Sequence, residues 1–175
     1  MSRERAVVYV TGGARSGKSA FAQRLAEGWG GSLLYVATGE ARDAEMVRRI
    51  EAHQRDRGPR WETLEEPLDL VAALARAAGH GGALLDCLTL WTSNLLAACG
   101  EDEAALRRRV DAFLAALEGF EGRLCVVTNE VGLGIVPENA LARRFRDLAG
   151  RINQDVAARA TEAHLVVSGL PLRLK

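Results

Sequence analysis

A mainly parallel α/β sheet with helices on both faces is the fold this sequence predicts, and three observations carry the prediction. Five short apolar runs, at 7–11, 32–38, 83–87, 124–128 and 164–168, alternate with segments of helical periodicity, the pattern of strands buried on both faces beneath crossover helices. The first run empties into Gly12 and Gly13 and continues through Gly17, Lys18 and Ser19, the GxxxxGK[ST] spacing of a phosphate-binding loop between a strand and a helix. At 175 residues the chain fits one domain with a sizeable core, expected to span residues 1–175 as a nucleotide-binding catalytic unit.

The elements follow in order. Phe21, Ala22, Leu25 and Ala26 carry the glycine loop into a helix. The second strand ends at Thr38, Gly39 and Glu40, and a charged helix over about 43–57 sets Met46, Val47, Ile50 and His53 on one stripe. Gly58 and Pro59 end that helix. Residues 61–65 read as a short extended piece, and Pro67 is expected to open a helix with Leu68, Leu70, Val71 and Leu74 on one side. A glycine-rich turn around His80 leads to the strand at 83–87, and helices are expected over 89–98 and 102–117. After the fourth strand and the loop GLGIVP, Pro137 is expected to begin a long helix with the stripe Leu141, Phe145, Leu148, Ile152 and Val156. Its other side, with Arg143, Arg144, Asp147 and Arg151, reads as a solvated face. Residues 170–174, interrupted by Pro171, read as an edge strand.

Lys plus Arg balances Asp plus Glu at 23 each. No global field therefore favours nucleic acid or an anionic membrane, and a nucleic-acid ATPase is disfavoured. The three cysteines, Cys87, Cys99 and Cys125, have no metal-ligand spacing and read as reduced residues of a cytoplasmic protein. No signal peptide or membrane-length apolar run stands out, so stable membrane insertion is not expected.

In a parallel sheet, ligands bind beyond the carboxyl ends of the strands. Thr11, Thr38, Asp86, Asn129 with Glu130, and Ser168 are expected to meet there. In the loop, backbone N–H groups and the helix dipole attract phosphate. Lys18 would reach the β/γ-phosphates, and the Ser19 hydroxyl would ligate Mg²⁺. Asp86 ends an apolar strand, the place of an acid that holds Mg²⁺; a cap for the next helix is the competing role. His53 has Arg49 and Arg57 one turn before and after it, with Arg55 close by. Their charge would keep the imidazole neutral and nucleophilic and clamp a polyphosphate. Attack on an α-phosphate would then give a covalent nucleotidyl-enzyme. His80 and His164 read as structural.

The segments GGARSGKS (12–19), YVAT (35–38), RIEAHQRDR (49–57), WETLEEP (61–67) and VTNEVGLGIVPENALARRFRDLAGRINQ (127–154) resemble, in order, the bifunctional adenosylcobinamide kinase / adenosylcobinamide-phosphate guanylyltransferase family of cobalamin biosynthesis. TNEVGxGIVPEN followed by FRDxxGxxNQ carries the most specific part of the likeness. The resemblance implies a P-loop NTPase, RecA-like core that assembles as a homotrimer. It implies phosphorylation of adenosylcobinamide by ATP or GTP, then transfer of GMP from GTP to adenosylcobinamide phosphate with release of pyrophosphate. The family's guanylylated histidine falls on His53. Its nucleotide contacts fall on Gly12, Gly13, Ala14, Arg15, Ser16, Gly17, Lys18 and Ser19, on Ala37, Thr38 and Gly39, on Gln54, Arg55, Asp56 and Arg57, and on Glu65 and Asp86. Gly39 stands where the family pattern has serine, and some members carry glutamate at the position of Asp86. Asn129 and Glu130 are candidates for touching the corrinoid side chain or metal, or for bracing their own loop.

Two rival functions follow from the same residues. One is a monofunctional P-loop small-molecule kinase in which His53 only packs. The other is a GTP-binding switch, disfavoured because no NKxD guanine-reading motif occurs.

Overall fold

The computed structural model describes residues 5–39 and 57–175. Seven strands form one sheet in the order β3-β2-β4-β5-β1-β6-β7: β1 Ala6–Gly12, β2 Leu33–Ala37, β3 Trp61–Glu65, β4 Gly82–Asp86, β5 Arg123–Val127, β6 Glu162–Val167 and β7 Leu170–Arg173. All pairings are parallel except β6 with β7, which closes one edge as a short antiparallel hairpin. The extended piece at 61–65 is thus the other edge strand, paired in register with β2.

Strand alternation divides the sheet into two faces. Val7, Tyr9, Leu34, Val36, Leu85, Leu124 and Val126 share one cluster with the apolar stripes of four helices, α2 Leu70–Ala77, α3 Leu88–Cys99, α4 Glu103–Glu118 and α5 Ala140–Arg159. Val8, Val10, Leu84, Cys125, Val127 and Val166 form the opposite cluster with Ala22, Phe21 and Leu25 of α1 Lys18–Glu27. Helices therefore cover both faces, as the continuous apolar strands require.

Local chemistry sets the helix ends and corrects several expectations. Asp69 caps α2 by accepting from the Ala72 N–H, so Pro67 precedes the helix rather than opening it. Val71 turns to solvent while Ala73 and Ala77 take the buried face. Asn139 caps α5 in the same way, and the long helix begins at Ala140, three residues beyond Pro137. Proline supplies no side-chain acceptor for the free N–H groups of a first turn, whereas asparagine does. Leu141 consequently lies outside the buried stripe and is exposed, and Asn153 joins Ile152 and Val156 inside. Arg144 does not project into solvent either: it donates to Glu103 Oε1 at 2.7 Å and to the Gly100 carbonyl at 2.8 Å, tying α5 to the start of α4. The three cysteines are free thiols. Among the described residues no helix is long and apolar enough to cross a membrane.

Candidate active site

The loop from Gly12 to Ser19 leaves β1 in the middle of the sheet and enters α1 through Gly17, whose φ of +93° is left-handed. Arg15 is also left-handed, at φ +56°. Two close approaches explain the glycines. A Cβ on Gly12 would lie 2.4 Å from the Val166 carbonyl oxygen and 2.6 Å from Ser16 Oγ, and one on Gly17 would press on the Gly169 Cα at 3.1 Å. The β6–β7 turn thus buttresses the loop, and Gly169 N–H donates to the Ser16 carbonyl at 2.7 Å. Gly12→Ala is expected to cost about 1–3 kcal/mol of stability through overpacking. Calorimetry should record a melting temperature lower by roughly 2–12 °C; an unchanged value would show that the loop relaxes freely.

Lys18 is buried to 9% exposure, and its Nζ donates to the Gly13 carbonyl at 3.1 Å. The ammonium is therefore held over the mouth of the loop. Ser16 Oγ is buried and has no hydrogen-bond partner among the described residues.

The sheet register brings three further candidates into one rung at the carboxyl edge: Ala37 pairs with Glu65 on one side and with Asp86 on the other. Thr38 extends this edge. Its N–H donates to the Asp86 carbonyl, and its hydroxyl donates to the Cys87 carbonyl at 2.7 Å while accepting the Cys87 N–H at 2.8 Å. Asp86 does not cap α3. Cys87 occupies the cap position without a side-chain hydrogen bond, and Asp86 Oδ2 instead accepts from the Tyr35 hydroxyl at 3.1 Å.

A cavity of about 340 Å³ opens between α1, β2 and β4, lined by Ser19, Gln23, Arg24, Tyr35, Arg57 and Asp86 together with Ala20 and Leu84. Arg57 is buried to 7% exposure, and its guanidinium stacks 3.5 Å from the centre of the Tyr35 ring. This is a cation–π arrangement. Burial, reinforced by the Asp86 carboxylate, pushes the Tyr35 hydroxyl well above the usual tyrosine range, so it stays protonated and able to donate. The cavity thus gathers two hydroxyls, a carboxylate and two guanidinium groups, a set suited to a phosphate with a hard cation.

His53, Gln54, Arg55 and Asp56 lie outside the described residues, as do Arg49 and Glu40. Asn129 and Glu130 sit beyond β5 and make bracing contacts. Asn129 N–H donates to Thr89 Oγ1 at 2.7 Å, its carbonyl accepts from Asn153 Nδ2, and Glu130 Oε1 accepts the Gly132 N–H at 2.8 Å. His164 lies within β6, its Nε2 2.7 Å from Glu162 Oε1 and its ring edge-on to Phe21, while His80 joins Glu62 and the Arg76 carbonyl. Neither ring lines the cavity beside the loop.

Gln23, Arg24 and Tyr35 are the cavity residues that sequence reasoning missed. Gln23 follows Ser19 by four positions and so shares its helix face. Tyr35 carries a hydroxyl inside a strand covered on both faces, where a buried phenol needs a partner.

Sheet, loop and helix together define an α/β protein of the P-loop NTPase class. The KaiC-like protein PH0186 of Pyrococcus horikoshii has the same fold, with a TM-score of 0.50 and 15% identity over 91% of this chain and 70% of its own. The family model for cobinamide kinase / cobinamide phosphate guanyltransferase matches residues 8–174, and the chain belongs to that family. It is 47% identical, over 95% of each chain, to the bifunctional adenosylcobalamin biosynthesis protein CobP of Pseudomonas aeruginosa. It is 44% identical to the bifunctional adenosylcobalamin biosynthesis protein CobU of Salmonella typhimurium, over 97% of this chain and 99% of the relative.

Proposed function

We propose that this protein phosphorylates adenosylcobinamide and then transfers GMP from GTP to the resulting phosphate, releasing pyrophosphate and forming adenosylcobinamide-GDP. The observation that carries the reading is the family match over 8–174 combined with one cavity where Ser19, Arg57 and Asp86 converge. The converging groups favour it over the rival kinase. A plain phosphoryl transfer needs the loop and its cation, whereas a second displacement at phosphorus also calls for further cations on the phosphates, and Arg57 lines the cavity with Ser19 and Asp86.

In the first step, N–H groups of residues 12–19 and the Lys18 ammonium hold the triphosphate of ATP or GTP. The substrate hydroxyl oxygen bonds to the γ-phosphorus, the bond to the leaving diphosphate breaks, and the hydroxyl proton is released. The protein's part is positioning and charge stabilisation. Ser19 and Asp86 are hard oxygen donors lining one cavity and fit Mg²⁺, which takes few protein ligands beside phosphate and water. When bound, the ion neutralises phosphate charge. In the second step a His53 ring nitrogen bonds to the α-phosphorus of GTP as pyrophosphate leaves. A phosphate oxygen of the substrate then displaces the imidazole, restoring the enzyme. Ala37, Thr38, Gly39 and Glu65 are assigned to the nucleotide with Gln54, Arg55 and Asp56; Asn129 and Glu130 are assigned to the corrinoid side. The reading includes a cytoplasmic homotrimer.

Purified protein supplied with adenosylcobinamide, Mg²⁺, ATP and GTP is expected to yield adenosylcobinamide-GDP and pyrophosphate, followed by chromatography and mass spectrometry. Accumulation of adenosylcobinamide phosphate alone would favour the monofunctional kinase.

A further inference from the structure

We propose that Tyr35 is a positioning residue that holds the Asp86 carboxylate for the cation and seats Arg57, so that one side chain fixes both the β4 and the 57 sides of the cavity. The inference rests on the reading of Ser19 and Asp86 as cation ligands, and goes beyond it by naming what orients the acid.

Three contacts carry it. The Tyr35 hydroxyl donates to Asp86 Oδ2 at 3.1 Å. This bond occupies one carboxylate oxygen and restrains the group's rotation, while Asp86 lines the cavity that Ser19 also lines. Register makes the geometry inevitable: Ala37 pairs with Asp86 and Tyr35 with Leu84, so Tyr35 lies diagonally beside Asp86 on the same face. The ring's face carries the Arg57 guanidinium at 3.5 Å, and Trp61 of the neighbouring strand packs edge-on, with ring centroids 6.3 Å apart. Tyr35 is thus clamped by its own neighbours and is rigid enough to orient others. Arg57 Nε is buried without a hydrogen-bond partner among the described residues, so the ring supports the guanidinium where that nitrogen has no acceptor.

Hydrogen-bond partners of metal ligands commonly matter by about 10–100-fold in metal affinity. Tyr35→Phe keeps the ring under Arg57 and removes only the hydroxyl with its contacts to Asp86 and Arg57. With the protein holding GDP, Mn²⁺ titrated by electron paramagnetic resonance is expected to bind about tenfold or more weakly to this variant. GDP affinity in EDTA is expected to match wild type, and the melting temperature to stay within about 5 °C. Tyr35→Leu, which also removes the ring, is expected to show the same Mn²⁺ loss and, in addition, less covalent guanylylation than Tyr35→Phe. Unchanged Mn²⁺ affinity in Tyr35→Phe would overturn the proposal. So would an equal loss of metal-free GDP binding or a larger fall in melting temperature, either of which marks a merely structural residue. None of these readouts uses a corrinoid, so a failure of adenosylcobinamide turnover would strike the proposed function and leave this test standing.

Discussion

Lys18→Met is expected to lower both phosphoryl transfer and guanylyl transfer by about 10²–10³-fold, the usual cost of removing one preorganised donor from developing charge. The size of the effect follows from where the ammonium sits. Lys18 is buried, and its Nζ contacts the Gly13 carbonyl at 3.1 Å, at the mouth of the loop. A phosphate entering there replaces that neutral acceptor with an anion in a partly desolvated setting, where charge interactions are strongest. Methionine retains most of the apolar stem, so the loop's packing is preserved and the loss reads out the charge alone. The check is kcat/KM for each half-reaction measured separately. Retention of either reaction to within tenfold of wild type would mean that this half-reaction does not use the loop, and the single shared cradle would have to be abandoned.

The glycine loop was legible in the sequence because its chemistry lies in local spacing. A turn that needs φ +93° at Gly17 and tolerates no Cβ at Gly12 must be written in glycine. The strands were legible for a similar reason, since a run buried on both faces must be apolar throughout. Strand order was not, because β1 pairs with β5 and β6, partners more than a hundred residues away, and no local pattern encodes that choice. The role of Arg144 was hidden for the same cause, whereas Arg151 is exposed as its place on the helix predicts. Arg144 looks solvated by periodicity, but its acceptors belong to the start of α4 and to the Gly100 carbonyl. Asp86 showed its strand-end position without its partner. Only the register of β2 against β4 brings the Tyr35 hydroxyl to it. Local backbone demands leave a signature in composition and spacing; pairings across the sheet leave one only when the topology is already known.

His53→Ala is expected to abolish guanylyl transfer, a loss on the order of 10⁴-fold or more for removal of a nucleophile, while phosphorylation of adenosylcobinamide continues near the wild-type rate. The expectation rests on reach. His53 precedes Arg57 by four residues, and even a fully extended chain spans at most about 14 Å over that distance. Arg57 lines the cavity with Ser19 and Asp86, so chain length sets no bar to the imidazole's reaching a nucleotide bound there. Phosphoryl transfer to the hydroxyl needs only the loop, the cation and the acceptor, none of which the histidine supplies. Wild type incubated with Mg²⁺ and GTP labelled at the α-phosphorus is expected to take up label as an acid-labile, base-stable phosphoramidate and to release one pyrophosphate per label. His53→Ala is expected to take up none. Steady-state kinetics of the second half-reaction should show the parallel-line, ping-pong pattern of a covalent intermediate. Label persisting in His53→Ala would move the nucleophile to another residue. Full GMP transfer without any label would replace two displacements at the α-phosphorus with one direct attack, and Arg57 would then serve the transferring phosphate itself rather than a neighbouring imidazole.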